Sequence, residues 1–223
     1  MRVNSHQDTR SPRHQKKRIF LLVIFLFGIF VLLAGCARHK IINEDSKGTN
    51  IICFGDSITY GYGAEDDQNY PAFLAKITEL PVINSGVDGE SSTKALMRIE
   101  TDVLNKDPLL VIIEFGGNDF LDKVPIETTI SNIKKMIDAI YARGAMVALV
   151  DISAGVVLGD YRKIFLKIAQ EKKTIFVPGL FRGIITNPAL KSDFLHPNEK
   201  GYYLMARRVY QAISPYIKKR KGN

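Results

Sequence analysis

Residues 50–59 read NIICFGDSIT, an apolar run that leads directly into Gly55-Asp56-Ser57. The run is continuously apolar rather than alternating, which is typical of a strand that is buried on both faces of a sheet. In parallel α/β sheets, sites form in the loops at the carboxyl ends of the strands. Residues 50–59 therefore predict a buried parallel strand and, at its end, a polar loop in the position where a site is expected.

The alternation of strand and helix continues along the chain. Apolar runs predict strands at residues 50–55, 82–85, 109–115, 145–151 and 174–178. Helical patterns lie after them, at about residues 70–79, 92–105, 127–143, 160–173 and 198–218. These βα units, without long insertions, predict one α/β domain with three layers, α/β/α, a five-stranded parallel sheet and right-handed crossovers.

The residues suited to catalysis fall in the strand-end loops and before the last helix. These loops read GDSIT at 55–59, NSG at 84–86, GGND at 116–119 and DFLHPN at 193–198. A serine needs a base to act as a nucleophile at neutral pH, and a histidine base needs an acceptor that fixes its tautomer. His196 is the only histidine in residues 50–217, and Asp193 lies one turn before it. If Ser57 is a nucleophile, its base is therefore His196.

Four motifs resemble, in order, the four sequence blocks of the SGNH (GDSL-type) hydrolases: Gly55-Asp56-Ser57, Gly86, Gly117-Asn118-Asp119 and Asp193-x-x-His196. Over about residues 50–217 the chain is most similar to the bacterial subgroup of thioesterase I/lysophospholipase L1 and the arylesterases. A single motif would be weak, because Gly-Asp-Ser is common, whereas four in order are specific. The resemblance implies a flavodoxin-like (SGNH hydrolase) topology.

The resemblance also implies a role for each matched residue. Ser57 attacks an ester or thioester carbonyl, His196 is the general base, and Asp193 orients the imidazole. The oxyanion is held by the backbone N–H groups of Ser57 and Gly86 and by the side-chain amide of Asn118. The resemblance implies no metal and no organic cofactor.

Each of these residues also has an ordinary structural explanation. Ser57 suits the cap of a helix or turn after the first strand, and Asn118 and Asp119 suit a turn after two glycines. The resemblance itself implies that Asp56 and Asp119 bond to loop backbone rather than perform chemistry. The G-x-S-x-G elbow of α/β-hydrolases is absent, because Thr59 stands at the last glycine position.

The composition fits a globular protein whose basic charge lies at its ends. Of the formal charge of +8, residues 1–18 carry +5 and residues 218–221 carry +4, while residues 19–217 hold 21 basic and 22 acidic residues. A nucleic-acid-binding protein needs its basic residues on a folded face, so we expect no nucleic acid as a partner. The chain's 2 cysteines exclude a disulfide scaffold and a four-cysteine zinc site.

The first 35 residues predict a lipoprotein-type signal peptide. A basic start precedes 15 residues, 19–33, that are apolar apart from Gly28. LAGC at 33–36 resembles the bacterial lipobox, which implies a lipid attached to Cys36 and an exported, membrane-anchored lipoprotein of the cell envelope. An uncleaved membrane anchor is the alternative. We expect residues 36–49 to be a polar tether, residues 50–217 the hydrolase domain and residues 218–223 a basic tail.

The longest loop, residues 179–191, is a candidate for the wall of the substrate pocket. Its apolar side chains form a wall for an acyl chain or pack beneath the loop: Leu180, Phe181, Ile184, Ile185 and Leu190. The predicted function is hydrolysis of acyl esters or thioesters, with lysophospholipids as candidate substrates. Two alternatives stay open: a deacetylase of O-acetylated polysaccharide or peptidoglycan with the same residues, and a non-catalytic envelope lipoprotein.

Overall fold

The computed structural model describes residues 40–153 and 158–217 of the chain. The predicted signal peptide (1–35), Cys36 and the basic tail (218–223) lie outside the described residues, as do residues 37–39 of the predicted tether. In the part of the chain that is described, no helix is long and apolar enough to span a bilayer.

Strands and helices alternate as the sequence predicts. The strands are β1 (Asn50–Gly55), β2 (Val82–Gly86), β3 (Pro108–Glu114), β4 (Met146–Val150) and β5 (Ile175–Val177). The α-helices are α1 (Ser57–Tyr60), α2 (Tyr70–Thr78), α3 (Ser92–Ile99), α4 (Gly117–Leu121), α5 (Ile126–Ala142), α6 (Gly159–Lys172) and α7 (Glu199–Ile217). A π-helical turn (Glu100–Leu104) extends α3, and a 3₁₀ turn (Pro188–Leu190) precedes α7.

The five strands form one parallel sheet in the order β2-β1-β3-β4-β5. This is the flavodoxin-like order, in which the chain reverses direction across the sheet between β1 and β3. Helix α2 packs on α7, α3 packs on α5, and α5 packs on α6, so helices cover both faces. The predicted α/β/α architecture and its topology are confirmed.

The central strands form the core. Every residue of β3 and β4 is buried, and so is β1 from Ile51 onward, whereas the edge strand β2 is only half-buried. Cys53 lies in β1 as a fully buried free thiol, and burial raises its pKa to about 12. It therefore packs in the core as a small apolar residue, as the sequence predicts.

Residues 40–49 differ from the predicted polar tether, because they pack on the body. Ile41 is buried, and the side-chain amide of Asn43 donates to the carbonyls of Tyr141 and Ala145, both at 3.0 Å. The Tyr141 carbonyl lies in the last turn of α5, and that of Ala145 lies directly before β4. One apolar residue and one side-chain amide thus fix a segment that is polar on average.

Candidate active site

The switch point of the sheet brings two polar loops together. Ser57 follows β1 as the first residue of α1, and Asn118 lies in α4, directly after β3. Asp56 caps α1, with Oδ1 accepting from the backbone N–H of Ile58 at 3.0 Å. The cap turns the chain sharply at the end of the strand, so Ser57 stands at the carboxyl edge of the sheet, 6% exposed.

The loop before α7 brings His196 and Asp193 to this serine. Nε2 of His196 lies 3.1 Å from Oγ of Ser57, and Nδ1 of His196 lies 2.8 Å from Oδ2 of Asp193. An ionised carboxylate only accepts hydrogen bonds, so Nδ1 carries the imidazole hydrogen and Nε2 is free to accept one from Ser57. The three predicted residues therefore form one hydrogen-bonded chain.

Local contacts fix the positions of both Asp193 and His196. Oδ1 of Asp193 accepts the backbone N–H groups of Leu195 and His196, each at 2.7 Å. The backbone N–H of His196 is the main cause that lowers the pKa of Asp193 to about 2. The imidazole packs against the ring of Tyr62, with centroids 4.4 Å apart, and the Tyr202 hydroxyl donates to the Tyr62 carbonyl at 2.9 Å. The imidazole of His196 is thus held at its edge by Asp193 and on its face by Tyr62.

Two of the three predicted oxyanion donors border the pocket beside Ser57. The backbone N–H of Ser57 has no hydrogen-bond partner among the described residues. The side-chain amide of Asn118 donates to Oδ2 of Asp56 and to the carbonyl of Glu90, each at 3.1 Å. Both amide hydrogens of Asn118 are therefore used in the free protein.

The prediction for Gly86 is corrected. Its backbone N–H donates to Oδ1 of Asn84 at 2.9 Å, so this donor is already used in the free protein. A Cβ at this position would lie 2.1 Å from the backbone N of Tyr60. Gly86 is therefore a glycine because β2 lies directly against the end of α1, not because the substrate approaches it.

Sequence reasoning missed Gly89, the second glycine of the same loop. Gly89 is exposed with a left-handed φ of 66°, and its N–H has no partner among the described residues. The next carbonyl, that of Glu90, accepts from Asn118, which places the two loops side by side. The signal in the sequence is the pair of glycines three residues apart, Gly86 and Gly89, either of which can supply the motif's glycine.

The two other acidic residues of the motifs bond to loop backbone, as expected. Oδ2 of Asp119 accepts the backbone N–H of Ser92 at 2.8 Å, and Oδ1 accepts the hydroxyl of Thr129 at 3.1 Å. Asp119 thus links α4 to the start of α3 and to α5, while Asp56 caps α1. Neither carboxylate contacts Ser57 or His196 by a hydrogen bond.

An apolar pocket of about 190 Å³ opens beside Ser57. Of the five apolar residues predicted in the 179–191 loop, Phe181 and Ile185 line this pocket. Leu180 and Ile184 are instead fully buried, and Leu190 lines a separate groove. The remaining apolar lining comes from the short helices α1 and α4 and from other loops: Ile58, Phe120, Leu121, Ile152, Leu158, Phe194 and Leu195.

The described residues offer no obvious metal site. No group of three or more His, Cys, Asp or Glu side chains between residues 40 and 217, outside 154–157, is placed to hold a metal ion. The chemistry that the described side chains can perform is nucleophilic attack by a hydroxyl group, with an imidazole as base.

Known proteins are similar to this chain in both sequence and fold. Residues 53–204 match the GDSL-like lipase/acylhydrolase family. Esterase TesA of Pseudomonas aeruginosa is 25% identical over 198 residues, which cover 84% of this chain and 98% of TesA. The arylesterase of Vibrio mimicus is 27% identical over 178 residues, which cover 75% of this chain and 89% of that enzyme.

A crystal structure of TesA superimposes with a TM-score of 0.69 and 26% identity, covering 75% of this chain and 99% of that one. The uncharacterized lipoprotein YqeF of Bacillus subtilis is 33% identical over 104 residues, 43% of this chain and 40% of YqeF. The family match runs from β1 into α7 and so includes Ser57, Asn118, Asp193 and His196. The chain belongs to the GDSL-like lipase/acylhydrolase family and is a hydrolase of the SGNH group.

Proposed function

We propose that the protein hydrolyses acyl esters or thioesters through an acyl-enzyme on Ser57. The observation that carries this proposal is the hydrogen-bonded chain from Asp193 through His196 to Ser57, which ends at the mouth of an apolar pocket. A nucleophile, a base and an acceptor behind the base are the parts that acyl transfer requires.

In the first step, Oγ of Ser57 attacks the substrate carbonyl carbon while Nε2 of His196 takes the hydroxyl proton. Asp193 keeps the imidazole in the required tautomer and stabilises the positive charge that forms on it. The tetrahedral intermediate then collapses, and His196 gives the proton to the departing oxygen or sulfur. Water attacks the acyl-enzyme with the same base and releases the acid.

We assign the oxyanion to the backbone N–H groups of Ser57 and Gly89 and to the amide of Asn118. Gly89 replaces Gly86 because its N–H is unpartnered and its loop contacts Asn118. One of the two present bonds of the Asn118 amide lengthens or is shared as negative charge develops. Loss of one such donor lowers kcat by about 10²–10³ in well-studied hydrolases.

The apolar pocket is assigned to the acyl chain. Its lining is almost entirely aliphatic and aromatic, and four of its side chains, Phe120, Leu121, Phe194 and Leu195, are also exposed at its mouth. Burying methylene groups there favours acyl chains longer than acetyl by about 0.8 kcal/mol for each CH₂. Lysophospholipids are therefore better candidates than O-acetylated polysaccharide.

We further propose that Cys36 carries a lipid anchor. The support is the LAGC sequence at 33–36 after a basic and apolar leader, together with the similarity to the lipoprotein YqeF. Intact mass spectrometry of membrane-extracted protein tests this proposal. A mass that fits a diacylated chain starting at Cys36 supports it, and an unmodified chain starting at Met1 contradicts it.

Covalent labelling and a chain-length panel test the hydrolase proposal. A fluorophosphonate probe is expected to label the wild type at Ser57 and not the Ser57→Ala variant. With p-nitrophenyl esters from acetate to octanoate and with lysophosphatidylcholine, Ser57→Ala is expected to lose activity. Equal activity of wild type and variant overturns the proposal, and activity on acetyl esters alone favours the deacetylase.

A further inference from the structure

Two buried carboxyl groups lie directly behind the proposed oxyanion site. Glu114 is the last residue of β3 and Asp56 the first after β1, and they are 2% and 3% exposed. The strand register sets Gly55 opposite Glu114, so the Asp56 carboxyl comes next to that of Glu114, close enough for a hydrogen bond between them. A hydrogen bond between two carboxyl groups requires a proton on one of them.

Among the described residues, the titratable groups that act most strongly on the pair include no lysine or arginine. They are Asp119 from α4, His196 from the loop before α7, Tyr70 from α2 and Tyr202 from α7. Burial chiefly raises the pKa of Glu114 well above its usual range, and burial likewise raises that of Asp56 to about 6.

The hydrogen bonds around the pair indicate which carboxyl keeps the proton. Asp56 accepts two N–H groups, from Ile58 on Oδ1 and from Asn118 on Oδ2, as a carboxylate does. Oε2 of Glu114 accepts the hydroxyl of Thr59 at 3.0 Å, and that hydroxyl lies 3.0 Å from the hydroxyl of Tyr70. Glu114 thus has one oxygen on Thr59 and a carboxyl hydrogen to give to Asp56.

We propose that Glu114 and Asp56 share a single proton and that Glu114, through Asp56, positions the amide of Asn118 for the oxyanion. The inference rests on the proposed function only for the role of Asn118. Glu114 is a positioning residue: it has no hydrogen bond to Ser57 or His196 and acts through Asp56. Without its hydrogen bond, the Asp56 carboxylate is free to turn, and the Asn118 amide loses a fixed partner.

Two variants separate the hydrogen bond from the charge. Glu114→Gln keeps a donor for Asp56 and an acceptor for Thr59, so we expect it to keep at least about a third of the wild-type kcat. Glu114→Leu has a similar volume and no polar atom, so we expect kcat to fall about tenfold or more with KM within twofold, because a misplaced donor acts on the transition state. The matched control is Ile112→Ala, a change at another fully buried position of the same strand; we expect its kcat to be unchanged.

The pH dependence of stability tests the shared proton, because a change in packing alone does not alter this dependence. Because its pKa is raised on folding, Glu114 binds a proton in the folded protein that the unfolded chain has lost above about pH 4.3, so stability falls as pH rises from there. We expect the fall to be larger in the wild type and in Ile112→Ala than in Glu114→Gln, which keeps only the contribution of Asp56.

Infrared spectroscopy at pH 7 tests the shared proton without any activity measurement, even if Glu114→Leu fails to fold. The wild type is expected to have the C=O band of a neutral carboxylic acid, and Glu114→Gln is expected to lack it. A wild type without this band overturns the proposal. Glu114→Gln as inactive as Glu114→Leu, or Glu114→Leu as active as wild type, overturns it as well. Activity in Ser57→Ala would instead overturn the proposed function and leave the infrared result standing.

Discussion

At the scale of single residues, Asp193 holds the backbone with one oxygen and the imidazole with the other. Asp193→Asn can keep the backbone bonds, but its NH₂ group faces Nδ1 of His196 and favours the wrong tautomer. We expect kcat to fall about a thousandfold or more with little change in KM. Steady-state kinetics on p-nitrophenyl butyrate checks this, and a loss below tenfold would mean that Asp193 does not orient the base.

The low pKa of Asp193 also predicts how stability depends on acid. Backbone and side-chain bonds to His196 lower this pKa to about 2. The stabilising contribution of Asp193 is therefore complete above its unfolded pKa of about 3.9 and is lost as pH falls through about 2. We expect the difference in unfolding free energy between wild type and Asp193→Asn to shrink as pH falls from about 4 toward 2. A difference that stays the same over this range would contradict this.

Two glycine substitutions distinguish a packing glycine from an oxyanion donor. Gly86→Ala puts a Cβ 2.1 Å from the Tyr60 nitrogen, so we expect a large loss of melting temperature. Gly89→Ala meets no atom within 4 Å but is strained at φ 66°, so we expect a loss of only about 1 kcal/mol in stability and a clear fall in kcat. Calorimetry and kinetics on both proteins, each the control for the other, check the assignment. Unchanged kcat in Gly89→Ala would remove Gly89 from the site.

At the scale of elements, one arginine fixes the loop between β2 and α3. The guanidinium of Arg98 donates to the Glu90 carboxylate from Nε and Nη2, to Asp102 at 2.9 Å and to the Ser85 carbonyl at 3.0 Å. It also lies 4.7 Å from the centroid of the Phe54 ring. The Arg98 and Glu90 side chains are 17% and 7% exposed, so this ion pair is shielded from water.

We expect Arg98→Met to cost about 3 kcal/mol, because it leaves the Glu90 charge buried without its partner. The same change loosens the loop that carries Gly89 and the Glu90 carbonyl, so we also expect kcat to fall more than KM changes. Urea unfolding and steady-state kinetics measure the two effects. Lys134→Met, which breaks the exposed pair with Glu171, is the control and should leave both unchanged. Equal effects of the two variants would contradict the role of Arg98 in fixing the loop.

The wall of the acyl pocket gives a prediction for specificity. Phe181 and Ile185 line both the apolar pocket beside Ser57 and a second cavity of about 390 Å³. Arg162 and Arg182 also line this second cavity. Phe181→Ala is expected to open one into the other, at a stability cost of about 3 kcal/mol. The chain-length optimum of kcat/KM should then move toward longer acyl esters, whereas Leu190→Ala, outside the pocket, should not move it. An unchanged optimum would mean that the acyl chain lies elsewhere.

The sequence predicted the elements well and their detailed contacts less well. Continuous apolar runs are specific for strands buried on both faces, so β1 and β3 were predicted to within a residue. The helix predicted at 92–105 is present, but it becomes π-helical at Glu100–Leu104, where the wider turn buries Val103 and Leu104. The choice between Gly86 and Gly89 depends on which N–H a neighbouring Asn84 side chain accepts, and that contact leaves no periodic signal.

At the scale of the whole molecule, residues 40–49 belong to the folded body. A protein that starts at Asn50 loses the burial of Ile41 and the two bonds of the Asn43 amide. We expect it to be less stable than one that starts at Lys40, by about 2–4 kcal/mol. Urea denaturation of both proteins checks this, with kcat as the control, since Ser57 lies at the opposite edge of the sheet. Equal midpoints would mean that the segment is a tether after all.

The architecture could be predicted because strand and helix alternate with short connections, which leaves few ways to build the sheet. The order of the strands came from the resemblance, not from the runs themselves. The packing of residues 40–49 was missed because the segment is mostly polar, and the Asn43 amide bonds to carbonyls about a hundred positions along the chain.

The position of these residues has a consequence for how the protein can be held. Backbone bonds join Ile42 to Lys173 and Thr49 to Asp107, directly before β5 and β3, so the chain enters the body at the amino-terminal edge of the sheet. Ser57 stands at the other edge. A molecule immobilised on a bead or sensor surface directly at Lys40 therefore keeps the mouth of its pocket turned toward the solution, and its turnover should match that of the free enzyme.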